Sequence, residues 1–114
     1  MRKLIIALIA LTGLVSCQKE FVTSVALAVD QTQIDLPGSD AGYFNLHILS
    51  NRAWTIKVES ERDWLHPETK AGKGTAYPKF TYDGYVGAVD REATIVIACD
   101  VKTLRIKVVQ PKSE

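Results

Sequence analysis

Ala93, Ile95 and Ile97, followed by Leu104, Ile106 and Val108, place apolar side chains at every second position, with Thr94, Arg105 and Lys107 among the residues between them. A period of two cannot form one stripe on a helix, whereas a strand with one face buried requires it. The same alternation recurs upstream. Val25, Leu27 and Val29 alternate with alanines, and Ile34 and Leu36 with Gln33 and Asp35. Phe44, Leu46 and Ile48 share one parity, leaving Tyr43, Asn45 and His47 on the other, and Trp54, Ile56 and Val58 point inward against Thr55, Lys57 and Glu59. Pro37-Gly38-Ser39-Asp40 and Ser50-Asn51-Arg52 supply turn chemistry between these runs.

Past the fourth run the pattern is less regular. Asp63-Trp64-Leu65 reads as a short apolar insertion stopped by Pro67, and Lys70 to Gly74 reads as a turn. Ala76, Phe80 and Tyr82 share a parity with Pro78, which predicts an edge or bulged position. The segment Asp83 to Asp90 reads as a loop. The count is roughly seven or eight short strands, with turns near the ~8–12-residue spacing of a sandwich. No sustained helical period follows residue 17, so the expected fold is all-β, an immunoglobulin-like antiparallel β-sandwich.

The first residues obey a different rule. Met1-Arg2-Lys3 is cationic, and twelve almost wholly apolar residues follow, Leu4 to Val15. A permanent membrane span needs about 20 apolar residues, so this block fits a cleaved secretory signal instead. Leu14-Val15-Ser16-Cys17 resembles the bacterial lipobox. That resemblance implies cleavage before Cys17, a diacylglyceryl thioether on its sulfur and acylation of the new amine. Two or three chains at about 0.8 kcal/mol per buried methylene hold a protein on a membrane far more firmly than one. The expected organisation is signal peptide 1–16, lipidated tether 17–24, sandwich 25–110 and tail 111–114. The membrane lipid is thus an expected partner through Cys17, and the outer membrane, on its periplasmic face or at the cell surface, the expected location.

Charge narrows the partners further. The chain has 14 basic and 13 acidic residues; losing Arg2 and Lys3 leaves 12 against 13, a formal −1. Nucleic acid is not expected, since its electrostatic footprint would be a basic stripe. With Cys17 lipidated, Cys99 has no intrachain partner and is expected as a small, partly buried side chain near a strand end. The two histidines, His47 and His66, show neither metal spacing nor a nucleophile motif. Asp63 and Glu68 lie in a charged turn rather than flanking a cleft, and the loop aspartates lack calcium-loop spacing. Neither an enzyme, a metal nor a cofactor is expected.

Several segments together resemble one family: Ile34-Asp35-Leu36-Pro37, Ser50-Asn51-Arg52-Ala53-Trp54-Thr55-Ile56, Asp63-Trp64-Leu65, Gly72-Lys73-Gly74-Thr75, Arg91-Glu92-Ala93-Thr94-Ile95 and Ile106-Lys107-Val108-Val109-Gln110. This looks like the BACON domain, the Bacteroidetes-associated carbohydrate-binding often N-terminal module, over residues 25–110. Departures are Gln31, where such domains often carry proline, the bulky Tyr77-Pro78-Lys79-Phe80, and the long Asp83 to Asp90 loop. The resemblance implies non-catalytic glycan binding in a polysaccharide- or mucin-handling system, with no catalytic residues to transfer.

Parity separates two groups of aromatics. Trp54 and Trp64 are expected in the core. Tyr77, Tyr85, Tyr43 and His47 are left outside or on loops, and are the candidate glycan contacts. The alternative is a structural or assembly lipoprotein that docks a protein partner of an outer-membrane complex. Few residues follow Gln110, so holding a further domain outward is not expected, and binding remains.

Overall fold

A computed structural model describes residues 24–113. The expected signal peptide, Cys17 and its tether to residue 23 lie outside the described residues. Among those described there are ten strands and no helix: β1 Leu27–Val29, β2 Gln33–Asp35, β3 Gly42–Asn45, β4 Ile48–Ser50, β5 Ala53–Ser60, β6 Leu65–Pro67, β7 Ala71–Lys73, β8 Lys79–Tyr82, β9 Arg91–Ala98 and β10 Thr103–Gln110.

One layer is a five-stranded sheet in the order β2-β10-β9-β5-β7. It is antiparallel except where β2 runs parallel to β10. Its register aligns the alternating residues into rows. Val58 lies opposite Ile95, and Ile95 opposite Ile106; Ala93 lies opposite Val108, and Val108 opposite Ile34. Ile95, Ile97, Ile106 and Val108 have no exposed surface. The strict alternation of β9 and β10 therefore builds the centre of one sheet.

The other layer is built from β3-β8-β6 and β1-β4. A bridge between Ile48 and Ala76 joins the two groups. Tyr43 pairs with Thr81 and Asn45 with Lys79, and Ile48 with Ala76 continues the same register. Residues 42–50 thus form one run, as the parity of Phe44, Leu46 and Ile48 predicts. The ladder is interrupted where Leu46 donates to the carbonyl of Pro78, 3.0 Å away, and proline has no N–H to return. Pro78 does not mark an edge, because β8 lies between β3 and β6. It sits just before the first residue of β8, where one missing donor is tolerated.

Leu27, Leu46, Ile48, Leu65, Phe80 and Tyr82 from this layer close the core. Phe44 stacks on its cross-strand partner Phe80 with centroids 5.2 Å apart. Two segments read as insertion and turn are short strands, β6 and β7, which accounts for most of the difference from the expected number. In β7, Gly72 faces Trp54, and a side chain there would collide with the indole. The turn itself rests on Gly74, whose φ of 78° favours glycine.

The described chain enters and leaves at opposite ends of the sandwich. At the entry, the Ser50 hydroxyl donates to the Ala26 carbonyl and also accepts from the Arg52 N–H. At the exit, Ser113 bonds Gly87 and the Lys112 N–H donates to Asp90.

Candidate functional site

The pleat of the second sheet sends even-numbered residues of the 42–50 run inward and odd-numbered ones out. Tyr43, Asn45, His47 and Leu49 therefore share an outer face with Thr75, Tyr77, Lys79 and Thr81 of the partner run. The register places His47 opposite Tyr77. The backbone hydrogen bonds fall at Leu46 and Ile48 on either side, so this is a non-hydrogen-bonded pair, the geometry that brings side chains closest. The two rings stack with centroids 4.4 Å apart and planes 15° from parallel. Asn45 donates through Nδ2 to the Tyr77 carbonyl at 3.1 Å, tying that segment down.

Tyr43 lies four residues along the same face. The Lys79 Nζ sits 4.5 Å from its ring centroid and 3.9 Å from a Glu68 carboxylate oxygen. The tyrosines remain open to solvent, Tyr43 at 62% and Tyr77 at 64% exposure. His47 is half-buried beside a shallow groove of about 190 Å³ lined by Ala28, Val29, Asp30 and Leu49. Three of the four aromatic candidates thus converge on one surface.

His66 completes this face and was not among the candidates. It lies opposite Thr81 on β6. Its Nε2 is 3.2 Å from both carboxylate oxygens of Asp83, and its Nδ1 is 3.5 Å from Asp63. The one available signal was parity, since His66 follows the buried Leu65. A two-residue apolar stub was too short to reveal it.

Tyr85 lies elsewhere. It sits at the opposite end of β8 from Tyr77, and its hydroxyl donates to the Val89 carbonyl at 2.6 Å. Its ring covers the guanidinium of Arg91 at 4.3 Å, and the other face of that guanidinium lies 4.5 Å from the Trp64 ring. Arg91 donates from Nε to Gln110 Oε1 at 2.8 Å and from Nη2 to the carbonyls of Asp83 and Gly84. Burial lowers the arginine's pKa from its ordinary value, against the opposing pull of Tyr85 and Asp83. Tyr85 is therefore the outer layer of a Trp64–Arg91–Tyr85 sandwich beside a cleft of about 350 Å³.

Both tryptophans are core residues, each 3% exposed, as their parity and setting predict. Trp54 also donates from Nε1 to the Gly74 carbonyl at 2.8 Å. Cys99 is free and half-buried, one residue past β9. Asp100 pairs with Arg52 at the entry end, whereas Asp83 and Asp90 lie at the exit end. The three aspartates do not meet.

Residues 53–111 match the family profile described as "BACON: Putative binding domain, N-terminal". The match contains Tyr77 and Lys79 but begins after Tyr43 and His47. No curated protein matches the chain in sequence. Among solved structures, a Bacteroides ovatus GH5 xyloglucanase in complex with a XXXG heptasaccharide superposes with a TM-score of 0.70 at 18% identity. The superposition covers 78% of this chain and 19% of that one, so the chain spans about a fifth of that enzyme's length. At this identity the likeness is one of fold.

Proposed function

The chain belongs to the BACON family, and from that premise we propose that it is a lipid-anchored, non-catalytic module that holds glycan on the outer face of its second sheet. The observation that carries this reading is the convergence of Tyr43, His47 and Tyr77 beside Asn45 and Lys79. Exposed phenol faces suit the C–H faces of sugar rings, and the amide, imidazole and carboxylate groups around them suit hydroxyls. A non-catalytic role is supported by the form of the face. Sugar cleavage needs two carboxyl groups roughly 5–10 Å apart across the scissile bond. Here Asp63 and Asp83 are both exposed and both engage His66, so the carboxylates face solvent and one imidazole rather than an enclosed scissile bond.

The glycan reading is tested with the full chain on an immobilised glycan array. Replacing Tyr43 and Tyr77 together by alanine is expected to lower retention at least about tenfold, equivalent to ~1.4 kcal/mol. The melting temperature should barely change, because both side chains are exposed. Equal retention by parent and double variant would remove this face from the proposal. If native pull-down then returned one stoichiometric protein partner, the docking role would take its place.

The anchor rests on the Leu14-Val15-Ser16-Cys17 motif. Mass spectrometry of the membrane-extracted protein is expected to find the N-terminus at residue 17 with a diacylglyceryl group on its sulfur. Cys17→Ser should abolish that modification and leave residues 1–16 attached. An unmodified thiol in the processed protein would overturn the anchor, and the outer-membrane location with it.

A further inference from the structure

We infer that the Tyr43–Tyr77 face takes a stretch of an extended, uncharged glycan lying along β3 and β8, rather than a single short sugar or an acidic one. This rests on the glycan reading above and specifies its ligand. The first argument is spacing. Tyr77 is level with His47, and His47 is four residues along the run from Tyr43, so the two open rings are about 13 Å apart along the strand direction. That distance is well over the separation of adjacent pyranose rings in an extended glycan. One disaccharide cannot cover both tyrosines, whereas an extended oligosaccharide can.

The second argument is the surface between them. Asn45 is bonded to the Tyr77 backbone, and Lys79 is drawn to Tyr43 and Glu68. These contacts hold polar side chains against the sheet between two rings that are each more than three-fifths exposed. A continuous chain can rest on such a strip and present its faces to the phenols and its hydroxyl edges to Asn45, Thr81 and His66.

The third argument is charge. Lys79 is the lysine of this face, and it is already engaged with a carboxylate. Glu68 lies beside it, Asp63 and Asp83 flank His66 at the rim, and Asp30 lines the groove at His47. With Arg91 acting on Asp83, two cations stand against four carboxylates, a formal −2 with the histidines neutral. Charges within a Debye length of about 8 Å at physiological salt repel an anion of the same sign. A uronate- or sulfate-bearing chain therefore meets an unfavourable field, and a neutral one does not.

The test uses the full chain, first on an array of neutral and uronate-bearing polysaccharides. Calorimetric titration follows, with a ladder of two to six sugars cut from the retained backbone. Affinity is expected to rise at least about tenfold from disaccharide to tetrasaccharide, or ~1.4 kcal/mol, and then to level off. Tyr43→Ala should remove that rise while sparing disaccharide binding. Uronate-bearing chains should be bound at least about tenfold more weakly than neutral ones of equal length, a gap that Glu68→Gln narrows. A disaccharide that binds as well as a hexasaccharide, or preferential retention of acidic chains, would overturn this inference and leave the glycan reading standing. Retention on no polysaccharide would withdraw that reading itself, and this one with it.

Discussion

Arg91→Met is expected to destabilise the domain by about 3 kcal/mol, although it removes no residue of the hydrophobic core. The reason is where the guanidinium's partners lie. Gln110 is directly opposite Arg91 in the β9–β10 ladder and has no exposed surface. Its amide nitrogen is taken by the Asp83 carbonyl at 3.0 Å, and its oxygen accepts from Arg91. Methionine fills the space between Trp64 and Tyr85 but donates nothing. The Gln110 oxygen then stays buried without a partner, a loss of about 1–3 kcal/mol. The cation–π contacts to two rings are lost as well, at about 0.5–2 kcal/mol. For a domain of this size each kcal/mol moves the melting temperature by ~4–8 °C, so thermal denaturation should show a fall exceeding about 10 °C. Arg91→Lys should recover only part, because an ammonium cannot lie flat between two rings while bonding sideways to Gln110 and two carbonyls. A melting temperature for Arg91→Met within a degree or two of the parent would show that the sandwich contributes no stability.

Trp54→Ala should cost more, about 3–5 kcal/mol. The indole spans from β5 over β7, lies against a glycine that leaves room for it, and closes the turn through its bond to the Gly74 carbonyl. Alanine opens a cavity at the sheet edge, removes that bond, and leaves the short β7 with little holding it. Trp54→Phe separates the contributions. It keeps most of the ring and loses the N–H, so about 1–2 kcal/mol is expected. Urea unfolding of the three proteins measures both steps, and near-equal midpoints would show that neither the ring nor its hydrogen bond holds β7.

Parity explains why much of this was legible in the sequence and why some was not. Within the 42–50 and 75–82 runs, alternation alone sorts Phe44, Leu46, Ile48, Phe80 and Tyr82 from Tyr43, His47 and Tyr77. It says which side each ring takes but not which rings meet. The meeting of His47 with Tyr77 depends on strand pairing, which is set by contacts far apart in the chain. Tyr85 shows the opposite case. A loop has no parity, so its ring looked spare, and only the capture of Arg91 by Gln110 across two strands assigns it a structural place. Gly72 misled for a local reason. Beside Gly74 it reads as turn chemistry, yet its role is to leave room for an indole, and the segment is a strand. The glycine that makes the turn is two residues on.

The entry and exit of the described chain at opposite ends have a consequence for orientation. If the proposed anchor at Cys17 holds, the pole at Ser50 and Arg52, where the described chain enters, would be the near one, and the pole carrying Gly87 and Ser113 would face outward. Strands β3 and β8 run between these poles, so a polymer laid across Tyr43 and Tyr77 would stand up from the lipid like a rope along a mast. Its free length would then project away from the headgroups, within reach of whatever processes it next.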